Sequence, residues 1–242
     1  MKWYGLIGYP LGHSFSKKYF THKFEKEQSA NKFENFAIDS IDLLPHVLQA
    51  NPGLIGLCVT IPYKQQVIPF LHEISPEVEV VGACNCIRIK DRKLTGFNTD
   101  IVGFEHSLLQ QLQPYHKRAL ILGTGGASKA VEYVLDKLGI AYTLVSRNAK
   151  QGQMDYHMLT TEVIKNNLLI INATPVGTFP AINKCPDLPY EGIGTEHFLF
   201  DLIYNPEKTL FLERGEKAGA AIQNGYDMLV GQAEANWEIW NA

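Results

Sequence analysis

Hydrophobic and polar positions along the chain fall into two alternating kinds of stretch. Short apolar runs bounded by glycine, proline or polar residues occur at "WYGLIGY" (3–9), "KFENFAI" (32–38), "GLIGLCVT" (53–60), "RALILG" (118–123), "AYTLVSR" (141–147), "NLLIINA" (167–173) and "HFLFDLI" (197–203), and each predicts a strand. Between them the period lengthens to that of a helix. "KKYFTHKFEKE" (17–27) can be capped by Ser16, "IDLLPHVLQA" (41–50) carries Pro45 where a first turn accepts it, and "TDIVGFEHSLLQQL" (99–112) follows later. A shorter helical pattern, "QQVIPFL" (65–71), succeeds the third strand, and "NCIRIKDRKLTGFN" (85–98) predicts a hairpin turning at Asp91–Arg92. The chain closes on an amphipathic helix, "GYDMLVGQAEANWEIW" (225–240).

The runs after residue 118 suit strands buried on both faces, and with helices between some of them they predict a parallel, doubly wound α/β sheet. A length of 242 residues holds one large domain or two ordinary ones, and no repeat, low-complexity tract or Pro/Ser-rich linker divides it. At 45% hydrophobic and 19% charged, the composition is that of a globular protein with a proper core. A net charge of −3 provides no general basic surface for nucleic acid or anionic lipid, and no apolar run reaches the length of a membrane span. The N-terminus reads as a first strand, being too short and too interrupted for a signal peptide. The expectation is a cytoplasmic protein whose partners are small molecules, with monomer and homodimer both compatible. Cys58, Cys84, Cys86 and Cys185 lack CxxC spacing and the eight histidines form no HExxH, so buried thiols are expected and no metal.

"LILGTGGASKA" (120–130) carries the first chemistry. A strand delivers Gly123, Thr124, Gly125, Gly126 and Ala127 into a tight turn that opens a helix ending near Gly139. Missing side chains let backbone N–H groups approach a pyrophosphate, whose charge the helix N-terminus favours. Many Gly-rich turns are merely turns, but a flanking strand and helix of the right length point to a dinucleotide. The next strand ends "LVSRN", with no acid between Lys137 and Asp155 to hold a ribose 2′-hydroxyl. Ser146, Arg147, Asn148 and Lys150 instead offer groups suited to a 2′-phosphate, so NADP is expected over NAD; the plainer alternative makes Arg147 a solvated turn residue.

Lys64, in "CVTIPYK" (58–64), is by itself an ordinary solvated lysine. Its surroundings change that. "IGYPLGHSFS", "GLCVTIPYK", "GACNC", "GFNTD", "GTGGASKA", "NATPVG", "DLIYNP" and "NGYDMLVGQA" occur in this order, and over nearly its whole length the chain resembles the shikimate dehydrogenases. The resemblance implies NADP-dependent, reversible reduction of 3-dehydroshikimate to shikimate, a step toward chorismate and the aromatic amino acids. It also implies a two-domain fold: a substrate domain from 1–100 and 226–242, and a Rossmann domain at 101–225. Lys64 and Asp100 become the catalytic pair. Ser14 and Ser16 hold the substrate carboxylate, unless capping occupies them. Thr60, Asn85, Asp100 and Gln232 surround the ring, Tyr204 lies near the carboxylate, Gly225 makes a backbone contact near the nicotinamide, and Asn172, Ala173 and Thr174 form the loop under the dinucleotide.

The chain departs from the family pattern at three places. Lys17 stands where proline usually follows "HSxS", Cys58 where asparagine is usual, and Cys86 where threonine is usual; both cysteines withdraw hydrogen-bonding groups near the substrate pocket. Two rival readings share the motifs: a quinate/shikimate dehydrogenase using NAD, and a noncatalytic NADP-binding sensor. The missing acid after "TLVS" argues against the first, and the presence of Lys64 and Asp100 against the second.

Overall fold

The computed structural model describes residues 2–12 and 14–242; Met1 and His13, the latter inside the first family motif, lie outside them. The chain divides into two compact units, Met1–Asp100 with Gln232–Ala242, and Ile101–Gly231. The last boundary thus falls within the terminal helix, whereas the family resemblance implies a closing segment from 226.

The first unit runs β1 (Trp3–Gly8), α1 (Phe15–Lys26), β2 (Lys32–Ala37), a 3-10 turn leading into α2 (Leu44–Ala50), β3 (Leu54–Val59), β4 (Glu73–Ile74), α3 (Pro76–Val81), β5 (Cys86–Lys90) and β6 (Lys93–Phe97). Its six strands are ordered β2-β1-β3-β5-β6-β4, with β1 parallel to both neighbours and β5 antiparallel to both of its own. Asp91 and Arg92 take positive φ, as the two-residue turn between β5 and β6 demands. Strand alternation sorts the side chains: Ile7, Leu57, Val59 and Ile87 join one core cluster, while Tyr4, Leu6, Cys58 and Cys86 join another. A sheet covered on both faces explains why "GLCV" is apolar without interruption.

The second of these clusters is aromatic. Phe20 and Phe24, one turn apart on α1, pack with Tyr4, Phe33 and Trp240, and Trp240 Nε1 donates to Ile87 O at 3.0 Å. Gly56 lies beneath that indole, where an added Cβ would sit 2.4 Å from Trp240 Cδ1. Gly56→Ala is therefore expected to destabilise the chain by about 1–3 kcal/mol through overpacking. Gly53→Ala, whose Cβ meets nothing nearer than Trp3 at 3.7 Å, is the control. Equal urea midpoints for the two variants would contradict this.

The second unit begins with α4, which starts on the boundary at Asp100 and runs to Leu109. It continues through β7 (Arg118–Leu122), α5 (Gly126–Lys137), β8 (Ala141–Ser146), β9 (Met154–Asp155), α6 (Thr161–Lys165), β10 (Leu169–Asn172), β11 (Phe198–Asp201), α7 (Leu210–Lys217) and β12 (Ala221–Gln223) to the start of α8 (Tyr226–Asn241), whose residues from Gln232 onward belong to the first unit. All pairings are parallel, in the order β9-β8-β7-β10-β11-β12. Counted within the unit this is the 3-2-1-4-5-6 order of a Rossmann sheet, whose direction of winding reverses between β7 and β10. Leu122 and Asn172, in register there, mark the strand ends beside which such sheets bind their ligands.

Two local expectations need correction. "QQVIPFL" is not a helix: residues 61–67 form turns and only Ile68–Phe70 is 3-10. Pro69 has no N–H to give, and the Lys64 carbonyl accepts from Cys84 N–H at 2.7 Å instead of from the next helical turn. The α1 cap is Ser14, not Ser16, because the helix starts at Phe15 and leaves Ser16 within its first turn. Among the described residues, no helix is long and apolar enough to cross a membrane, and no cluster of histidine, cysteine or acidic side chains could hold a metal.

Candidate active site

In the second unit, β7 ends at a turn where Gly123 has φ +104° and an added Cβ would come within 2.8 Å of Thr174 Cγ2. Glycine is needed because two loops meet there. Gly125 is the N-cap of α5 and Gly126 its first residue, and at neither would a Cβ meet any atom within 4 Å. Open space over the first N–H groups of a 12-residue helix is a cradle for an anion. Alongside lies a cavity of about 870 Å³ lined by Gly123, Thr124 and Gly125, by Ser146, Arg147, Asn148 and Lys150 after β8, and by the loop Ala173–Val176. Gly126 and Ala127 form the helix start and are not part of this lining.

The cavity also has walls that the sequence did not disclose: Asp155 at the end of β9, Tyr156 and His157 just after it, and Cys185 to Asp187. An acid does therefore enter, but from a neighbouring strand; Asp155 pairs in register with Ser146, and its Oδ1 accepts from the His157 N–H at 2.9 Å. Burial raises the Tyr156 phenol, with Arg147 acting against that and Asp187 with it. A two-residue strand such as β9 has no period by which to be found.

The loop 173–176 is held from below. Asn172 Oδ1 accepts from Thr174 Oγ1 at 2.6 Å and from Thr174 N–H at 3.1 Å, while Asn172 Nδ2 donates to Asp201 Oδ1 at 3.0 Å. Asp201, wholly buried at the end of β11, also accepts from Ile203 N–H and from Thr209 Oγ1 at 2.6 Å. Burial lifts its carboxyl to about 6, the three donors pulling the other way. Tyr204 follows in a shallow concavity with Phe179, Ile203 and Asn205. At Gly225 an added Cβ would lie 2.2 Å from Leu202 O, so close backbone approach within the unit is by itself enough to require glycine there.

In the first unit, Lys64 Nζ donates to Asp100 Oδ2 at 2.7 Å, and the two side chains are 34% and 20% exposed. Asp100 Oδ1 accepts from Asn85 Nδ2 at 2.9 Å. The ammonium is thus both anchored and reachable. Thr60, just beyond β3, is fixed through its N–H to Ile7 O at 3.0 Å. Ser14 Oγ accepts from Lys17 N–H at 3.1 Å, which leaves its own proton to donate outward. Proline at 17 could not make that capping bond, and the Lys17 ammonium instead meets Glu34 at 2.8 Å. Ser16 hydrogen-bonds the Cys58 thiol, which burial pushes up to about 12 and so keeps neutral. Cys58 Sγ also receives Asn236 Nδ2 at 3.3 Å, so this position retains a hydrogen-bonding partner after all. Gln232 is buried, with Oε1 3.3 Å from the same Asn236 amide. Lys64, Asp100, Asn85, Gln232 and Ser16 therefore belong to connected surroundings, while Tyr204 and Gly225 are carried by the other unit.

Comparison with known proteins places these units. A family model for the shikimate dehydrogenase substrate binding domain matches residues 6–87. The shikimate dehydrogenase (NADP(+)) of Desulforamulus reducens is 32% identical over 98% of this chain and 88% of its own length. The chain belongs to the shikimate dehydrogenase family. A chorismate mutase/shikimate 5-dehydrogenase fusion protein from Clostridium acetobutylicum has a similar structure, with a TM-score of 0.87 at 33% identity, covering 100% of this chain and 91% of that one. Shikimate 5-dehydrogenase from Thermus thermophilus, solved in complex with NADP(H) and shikimate, gives 0.87 at 28% identity over 99% and 93%. In this member of the shikimate dehydrogenase family, the matched substrate-binding segment includes Ser14, Ser16, Thr60, Lys64 and Asn85. In the second unit the glycine turn at the start of α5 and the Arg147 and Lys150 side chains after β8 line one cavity.

Proposed function

We propose that this chain is an NADP-dependent shikimate dehydrogenase, catalysing the reversible reduction of 3-dehydroshikimate to shikimate. The observation that supports it most is the 2.7 Å pair of Lys64 and Asp100, part-exposed within the unit that matches the family's substrate-binding domain. Bound NADPH supplies the hydride that reduces the carbonyl carbon. Lys64 donates a proton from Nζ to the carbonyl oxygen as negative charge grows there, and takes it back from the hydroxyl in the reverse direction. Asp100 holds the ammonium in place and, with one lone pair on each oxygen committed to Asn85 and Lys64, keeps two for ring hydroxyls. Ser14 and Ser16 donate hydroxyl protons to the substrate carboxylate, and Thr60, Asn85, Gln232 and Tyr204 complete its polar surroundings. A substrate lacking one hydroxyl would strand a desolvated partner, which is how such a set discriminates.

The cofactor is held by Gly123 to Ala127, by Thr174 and Gly225, and at its 2′-phosphate by Ser146, Arg147, Asn148 and Lys150. Arg147→Gln is expected to raise KM for NADP⁺ at least about tenfold with kcat little changed, because it removes a charge-assisted fork from uniform binding. An unchanged KM would return Arg147 to the role of a solvated turn residue. The reading carries with it a cytoplasmic enzyme acting on small molecules as a monomer or homodimer. Its direct test is oxidation of shikimate and of quinate by the purified protein with NADP⁺ and with NAD⁺. Turnover with shikimate and NADP⁺ as the preferred pair is expected; no turnover with shikimate, or a strong preference for NAD⁺, overturns it.

A further inference from the structure

Thr99, directly before Asp100, is 1% exposed, and Asn236, one turn beyond Gln232 on α8, is wholly buried. The motifs assign neither a role, yet both touch the surroundings of the catalytic pair. The Asn85 amide has only one possible orientation: its Oδ1 lies 2.7 Å from Thr99 N–H, a backbone donor, so Nδ2 is the end facing Asp100. The Thr99 hydroxyl lies 3.1 Å from that same Oδ1 and 2.7 Å from Asn236 Oδ1. One hydroxyl carries one proton, so it serves one of these two oxygens at a time, and the shorter contact takes it. Asn236 Nδ2 in turn reaches Cys58 Sγ and Gln232 Oε1, both at 3.3 Å. A continuous string thus runs from Lys64 through Asp100 to Asn85, whose Oδ1 is held by the Thr99 N–H, and on through the Thr99 hydroxyl to Asn236, beside the aromatic cluster of Tyr4, Phe20 and Trp240.

Such a string is not needed for stability. A buried polar group left without its partner is costly, but two partners replaced together by apolar groups of similar shape can be nearly neutral. What a satisfied polar string adds is a single orientation for every group on it. We propose that Thr99 and Asn236 are positioning residues, which through Asn85 hold the Asp100 carboxylate at the angle where it meets Lys64, and tie it to the helix that carries Gln232. This rests on Lys64 and Asp100 being the proton-handling pair.

The test is a set of variants, read in three ways. Thr99→Val, which removes only the hydroxyl, is expected to lower kcat for shikimate oxidation about 10- to 100-fold with KM for NADP⁺ within about twofold, as a small misplacement of the pair would. Thr99→Ser, which restores the hydroxyl, recovers kcat. The double variant Thr99→Val with Asn236→Leu removes both partners, so its unfolding midpoint returns toward wild type while kcat stays low. Recovery of kcat along with stability in the double variant, or wild-type kcat in Thr99→Val, overturns the proposal. If Thr99→Val alone fails to fold, the double variant supplies the same comparison with wild type and Thr99→Ser. The third readout needs no substrate: hydrogen exchange of the Asn85 side-chain amide, followed by NMR, is expected to be slow in wild type and Thr99→Ser and several-fold faster in Thr99→Val. Wild-type protein that fails to oxidise shikimate would sink the proposed function, and the amide exchange then decides this inference alone: equal rates in all three proteins overturn it.

Discussion

Lys64→Ala is expected to lower kcat for shikimate oxidation by about 10²- to 10⁴-fold, the range that a positioned proton donor contributes, with little change in affinity for NADP⁺. The split follows from where the side chain sits. Its ammonium is engaged by Asp100 at 2.7 Å in the first unit, whereas every residue lining the 870 Å³ cavity belongs to the second. Lys64 is part-exposed and its main chain is fixed independently by the 2.7 Å bond from Cys84 N–H, so truncation is not expected to unfold the unit. Lys64→Met, which keeps the apolar stem and loses the charge, should be as inactive as alanine. The measurement is steady-state turnover beside cofactor binding followed by fluorescence. Full activity in either variant removes Lys64 from the mechanism and, with it, the main support for proton transfer in this unit; a parallel loss of cofactor binding would recast the side chain as part of the dinucleotide site.

How much of this was legible beforehand depends on range. Strands such as β3, β7, β10 and β11 announce themselves because they are buried and apolar almost without interruption, and the Gly-rich turn is visible because glycines cluster between a strand and a helix, with φ +104° at Gly123 and open space at Gly125 and Gly126. The family motifs then assign Lys64 and Asp100, two residues 36 positions apart that no local pattern connects. What stayed hidden is of two kinds. Short elements such as β4, β9 and β12 carry two or three residues each, too few for any period. The others are supporting residues whose meaning exists only in three dimensions. Thr99 reads as part of a motif and Asn236 as a helical polar position, yet they meet across 137 positions; Asp201 reads as the polar end of a strand, yet it orders Asn172 and through it Thr174. The misplaced cap teaches the same thing at short range: Ser14 and Ser16 are both suited to capping, and only the start of α1 at Phe15 separates them.

Asp201 provides the pH-dependent expectation. Its carboxyl is raised from 3.8 to about 6 because it is buried at the end of β11 with three neutral donors and no exposure. The folded chain therefore holds this proton more tightly than the unfolded chain does. Between those values the native state carries more bound protons, so the stability contributed by this group is fully present below about pH 4 and is lost as pH rises through about 6. With one pKa unit equivalent to about 1.4 kcal/mol, the loss is about 3 kcal/mol. Asp201→Asn keeps an acceptor oxygen for Ile203 N–H and Asn172 Nδ2 and can donate to Thr209 Oγ1, so the local network survives while the charge does not. Other acids titrate in the same window, and the difference between the two proteins cancels them. The unfolding free energy of Asp201→Asn relative to wild type, from urea titrations across about pH 4 to 7, should thus rise by about 3 kcal/mol toward neutrality. A difference that stays flat would mean that the carboxylate is as well solvated by its donors as by water. A difference that falls with pH would mean that those donors stabilise the charged form more than burial penalises it.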